Sequence, residues 1–122
     1  MTNRTRITGV VFLTAMLAVW TATARAYPFT GACGSELTAV GTAIQDAVFL
    51  GRKAATDESN LMAKLENAAA KVQLTKYSDA VDKLLDISDT ATALAGAQKP
   101  KLEDAEGINT AVIAAIACVG GL

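Results

Sequence analysis

The chain reads as all-α: a small antiparallel four-helix bundle stapled by one disulfide, following an N-terminal signal peptide. Three features predict this. From residue 35 to residue 119 apolar side chains recur at steps of three and four, with no strand-like alternation. Proline is confined to positions 28 and 100, so nothing breaks these runs from inside. The two cysteines, Cys33 and Cys118, stand just before the first apolar stripe and at the end of the last.

Residues 1–26 have the layout of a secretory signal. Arg4 and Arg6 precede the run from Ile7 to Trp20, in which Thr8 and Thr14 are the polar side chains, and the small-residue stretch TATARA closes it. A membrane-spanning helix needs about 20 apolar residues, and this run is shorter and leads directly into a cleavage-like sequence. A cut after Ala26, with Ala24 and Ala26 as the small pair, makes Tyr27 the first residue of the exported chain. A cut after Ala24, with Ala22 and Ala24, is the alternative.

Removal of residues 1–26 leaves 96 residues, one small domain over 27–122. It takes away three of the eleven Lys and Arg residues and none of the twelve acidic ones, for a net charge of −4, and the chain has no histidine. Such a chain lacks the basic patch that phosphate neutralisation requires, which excludes nucleic acid as a partner. It is equally unsuited to an anionic membrane surface, and no stable span remains after cleavage. Its remaining aromatics are Tyr27, Phe29, Phe49 and Tyr77, and alanine is the main apolar residue. The core is therefore thin, and small exported domains of this kind oxidise their cysteines to compensate for limited burial. A lipid anchor at Cys33 would need an apolar residue three positions upstream, where Thr30 stands, and would strand Cys118 as a lone thiol. The expected pairing is an intramolecular Cys33–Cys118 bond, with intermolecular bonds as the other oxidised outcome.

Four helices follow from the stripes, near 35–54, 58–74, 76–95 and 102–119. In the first, Ser35 is placed to cap and Glu36 lies in the first turn, with Leu37, Val40, Ile44, Ala47, Val48 and Gly51 on one face. The stretch ATDESN breaks the pattern. The second helix presents Leu61, Leu65, Ala68, Ala69 and Val72, with Thr56, Asp57 and Ser59 as competing caps. The third presents Tyr77, Ala80, Val81, Leu84, Ile87, Ala91, Leu94 and Ala95, and ends at Gly96, the residue suited to a left-handed C-terminal conformation. GAQKP is then a loop. The fourth starts around Leu102, with Glu103, Asp104 and Glu106 near its positive dipole end, and buries Ala105, Ile108, Val112, Ala115, Ile116 and Val119 before GGL stops it. An even number of helices joined by short connections puts Cys33 and Cys118 at the same end of the bundle, whereas three helices would separate them beyond bridging distance.

From Leu61 to Ser88 the chain reads LMAKLENAAAKVQLTKYSDAVDKLLDIS, followed by ALAGAQKPKL. This pattern resembles the FIMAH-type helical-hairpin modules appended to secreted bacterial enzymes, over roughly residues 58–119. The resemblance implies an accessory module with no activity of its own to carry over. The chain departs from that pattern by adding a helix and a disulfide.

Candidate chemistry is sparse. Without histidine there is no nucleophile and imidazole pairing, and the commonest zinc ligand is missing. Asp79, Asp82, Asp86 and Asp89 line one side of the third helix, but no glycine-bearing Asp-rich loop accompanies them, so they read as a solvated face rather than a cation site. Lys64 with Lys71, and Lys76 with Lys83, read as wet helix sides. GRK at 51–53 is too short for a polyanion site, and Gly41 and Gly51 read as close-packing positions. The expectation is a non-enzymatic protein without cofactor or metal, secreted or periplasmic, that binds an exported protein or cell surface. The alternative is a carrier of a small apolar ligand.

Overall fold

A computed structural model describes residues 28–122. The signal peptide read from residues 1–26, with cleavage between Ala26 and Tyr27, lies outside the described residues. Four helices account for the fold: α1 (Gly34–Asp46), α2 (Ala54–Gln73), α3 (Tyr77–Ala95) and α4 (Glu106–Gly120). Helices consecutive in sequence pack on one another, and α4 closes back on α1.

The helices alternate in direction. Cys33, which caps the start of α1, is bonded to Cys118 in the last turn of α4, while Phe49 beyond the end of α1 pairs with Leu102 ahead of α4. The two helices therefore run antiparallel. Between α2 and α3, Lys64 meets Asp86, each nine residues from the helix end that faces their shared turn. The protein is thus an antiparallel four-helix bundle held by one disulfide, as its cysteine placement predicts.

The core follows the stripes. Leu37, Val40 and Ile44 from α1, Leu61 and Leu65 from α2, Leu84 and Ile87 from α3, and Ile108, Val112 and Val119 from α4 are at most 2% exposed. Each large aliphatic side chain so buried contributes roughly 1.5–3 kcal/mol of transfer free energy. Ala68, Ala80, Ala91 and Ala115 are fully buried between them, and their single methyl groups let the helix axes approach.

Several expected boundaries are corrected. The first helix does not reach residue 54: it ends at Asp46, and Ala47 is already extended. The fourth does not start at Leu102 but at Glu106. Both differences have one cause. Residues 48–50 and 101–103 lie side by side, with the Leu50 N–H donating to the Lys101 carbonyl and the Glu103 N–H to the Val48 carbonyl, both at 2.9 Å. This pairing satisfies loop backbone groups while Leu102 drops fully into the core. Val48 is accordingly 50% exposed rather than on the stripe. Gly51 lies outside α1 altogether, exposed at φ +87, a left-handed conformation that glycine adopts without a steric cost. The chain reverses there, so α2 starts at Ala54, and the stretch ATDESN forms its first two turns instead of a break.

The caps differ as well. None of the four helices carries a side-chain hydrogen bond at its N-cap. Cys33, not Ser35, is the cap of α1, and Ser35 donates instead to Glu36 Oε1. Thr56, Asp57 and Ser59 are all inside α2. Gly96 is not left-handed but sits at φ −92, ψ 2, because the Lys101 N–H returns to the Leu94 carbonyl and satisfies the end of α3. At α4 the side chain of Asp104, one residue outside the cap, accepts the Glu106 N–H at 2.9 Å.

Candidate functional site

The disulfide end is built by a folded-back entry segment. Cys33 holds a left-handed conformation at φ 58, and the Gly34 N–H donates to the Gly31 carbonyl at 3.0 Å. The Phe29 N–H donates to Thr38 Oγ1 at 3.0 Å, and Thr38 Oγ1 donates to the Phe29 carbonyl. A Cβ at position 34 would lie 2.9 Å from the Phe29 carbonyl oxygen, so the entry segment packs on α1 only because this residue is glycine. The result places Cys33 and Cys118, 85 positions apart in sequence, with Cα atoms 5.9 Å apart, within the ordinary span of a disulfide.

Glu36 stands beside the bond. Its carboxylate and the two sulfurs lie within 4.8 Å of one another, the one grouping of three metal-capable side chains among the described residues. Both sulfurs are committed to each other, so no thiolate is offered to an ion.

The acidic row of α3 is interleaved with cations. Lys64 Nζ donates to Asp86 Oδ2 at 2.7 Å, and Thr90 Oγ1 donates to Asp86 Oδ1 at 3.5 Å. The hydrogen bond from Lys64 is the main reason the Asp86 carboxyl is held below the ordinary carboxylate range, with its desolvation opposing and the Lys64 charge assisting. Lys71 and Lys83 line the same open cleft of about 420 Å³ as Asp79, Asp82 and Asp86. Asp79, Asp82, Asp89 and Lys76 are exposed, whereas Lys64, Lys71 and Lys83 are half-buried. This face can hold solvent and exchange ion pairs, but its carboxylates do not converge on a point.

Apolar side chains also line an open cleft among the described residues. This cleft of about 300 Å³ is lined by Phe29, Leu37, Val72 and Tyr77 together with the polar side chains of Thr30, Gln73 and Thr75. On the opposite flank α3 and α4 are clasped by polar side chains: Ser88 Oγ donates to Asn109 Oδ1 at 2.7 Å, and Asn109 Nδ2 donates to Thr92 Oγ1 at 3.2 Å. Beside this clasp Leu85 is 46% and Ile113 67% exposed, although both are large apolar residues. The helical stripes do not mark this pair, because each residue lies off the buried face of its helix. The available signal was the charge-free run from Gly107 to Leu122, which carries more apolar residues than one buried face can use.

No helix among the described residues is long and apolar enough to cross a membrane. The disulfide itself belongs to the kind of bond that persists in oxidising, non-cytoplasmic surroundings. No protein-family model matches the chain, and no curated protein or solved structure matches it significantly.

Proposed function

We propose that this chain is a small exported, non-enzymatic helical module that acts by binding another protein or a cell surface. The observation that carries the reading is the exposure of Leu85 and Ile113, large aliphatic side chains on the two neighbouring helices α3 and α4. A folded domain with little apolar surface to spare, yet with large aliphatic groups left in water, has a surface fitted for contact. Export is supported by the signal-like residues 1–26 and by the Cys33–Cys118 bond. The resemblance of residues 58–119 to accessory modules of secreted enzymes accords with it. One observation favours the carrier alternative: the cleft between Phe29, Leu37, Val72 and Tyr77, whose rings and aliphatic groups would suit a small apolar ligand.

Native mass spectrometry of the exported protein tests the reading. The expected species starts at Tyr27, carries the disulfide, and is recovered with protein partners and without lipid. A stoichiometric copurifying lipid would transfer the function to the cleft, and retention of residues 1–26 would overturn export as a cleaved, soluble chain.

A further inference from the structure

The Ser88 and Asn109 hydrogen bond fixes the register of α3 against α4. Because the helices run antiparallel, three residues back from Ser88 and four forward from Asn109 climb the same flank by about one turn. This brings Leu85 beside Ile113. A further turn on each helix adds half-buried Val81 and Ile116, which pack against the core and extend the apolar strip. The side of α3 that faces this flank carries Ser78, Val81, Leu85, Ser88 and Thr92, and α4 has no charged residue after Glu106. The charges of α3 lie elsewhere on the helix, with Asp86 turned to Lys64 of α2, and Asp82 and Asp89 directed outward at the edge of the strip.

We propose that a second copy of this chain covers the strip. The two copies pair through their α3–α4 flanks about a two-fold axis running along the bundle, so that each α3 lies over the other copy's α4. This pairing deepens the interaction-module reading above, on which it rests, and charge favours it. A strongly charged partner finds nothing on the strip to pair with, whereas an uncharged strip complements itself. Residues 27–122 carry a net charge of −4, so copies repel unless the acidic side chains are kept apart. Laying α3 on α3 would oppose the outward aspartates of the two copies. Laying α3 on α4 sets them against Thr110, Ala114 and Ala117, which are exposed and uncharged.

Area sets the strength. The 15 residues of α4 give a strip about 22 Å long, and two helices about 9 Å apart make it roughly 20 Å wide. Pairing buries about 900 Å² in total, below the roughly 1,200–2,000 Å² of a stable interface. The dimer is therefore weak, reversible and visible only at high concentration.

Sedimentation velocity on the purified, oxidised protein over roughly a hundredfold concentration range tests this. The wild-type protein should shift from monomer towards dimer as concentration rises. Leu85→Glu and Ile113→Glu should each weaken pairing about tenfold or more, with Leu85→Ser and Ile113→Ser as milder variants should a charge perturb the fold. Leu74→Glu, at a position 60% exposed on the α2–α3 turn and off the strip, should pair like wild type. A wild-type protein that stays monomeric throughout overturns the proposal, as does a dimer that Leu74→Glu disrupts as much as Ile113→Glu does. Neither result touches the interaction-module reading, which falls only on the lipid-bound or uncleaved outcome in the native mass spectrum.

Discussion

Leu84 and Asp82 stand two positions apart on α3 and face opposite surroundings. Leu84 is fully buried and Asp82 exposed. Leu84→Asp places a carboxylate among aliphatic groups with no partner, and should leave the bundle unfolded at room temperature by circular dichroism. Asp82→Ala should change stability by less than about 0.5 kcal/mol. Equal melting shifts for the two would mean that the faces of α3 are reversed. Asp86 lies between these extremes. Its carboxyl ionises more readily in the folded chain because Lys64 donates to it. The pair's contribution is therefore fully present above the ordinary carboxylate range and is lost as pH falls through the lowered value. Both side chains are about a third or more exposed, so solvent screening limits the contribution to a few tenths of a kcal/mol. Asp86→Asn should flatten the acid limb of the melting temperature against pH slightly, while leaving the neutral region almost unchanged. The buried residues of α2 and α3 were legible at this scale because a 3.6-residue period needs no tertiary information. The Lys64–Asp86 pair was not, since its partners meet across a turn.

At the scale of elements, legibility fails where the period continues past the helix. Ala47, Val48 and Gly51 extend the α1 stripe in register, yet the chain leaves the helix after Asp46 to lie against residues 101–103. No local signal announces a pairing between segments more than 50 residues apart. Leu102 shows the same limitation, because it looks like the first stripe residue of α4 and instead plugs the bundle end from an extended segment, fully buried. Leu102→Ala should cost about 2–5 kcal/mol, the range for a large-to-small change in a closed core. Gly51→Ala should cost about 1 kcal/mol or more, because the left-handed turn is strained for any side chain even though open space surrounds it. Urea denaturation of both variants separates the mechanisms: a loss at Leu102 alone would mean that the 48–53 turn can relax to another backbone path. The clustering of Leu85 and Ile113 was hidden for a related reason. Each is an ordinary exposed residue within its own helix, and their adjacency follows from the α3–α4 register that Ser88 and Asn109 set.

For the whole molecule, the disulfide connects sequence to topology. Four helices with short connections return the end of α4 to the start of α1, and Cys33 and Cys118 occupy those two places. The bond closes a loop across 85 positions, nearly all of the described chain. Loop-entropy reasoning gives about 4–5 kcal/mol for a loop of that size as an upper figure, because residual structure in the reduced, unfolded chain lowers it. A domain this small has a total stability on the order of 5–10 kcal/mol, so the bond is a large share of it. Reduction, or Cys33→Ser combined with Cys118→Ser, should lower the melting temperature by many degrees. Helical circular dichroism at low temperature should persist, because the aliphatic stripes that pack α1 to α4 are left intact. Non-reducing peptide mapping of the native protein should find the two cysteine peptides linked, and thiol labelling should find none free. A melting temperature unchanged by reduction would mean that the unfolded chain is already compact enough to keep its ends together, and that the paired segments at 48–50 and 101–103, rather than the disulfide, hold α1 against α4.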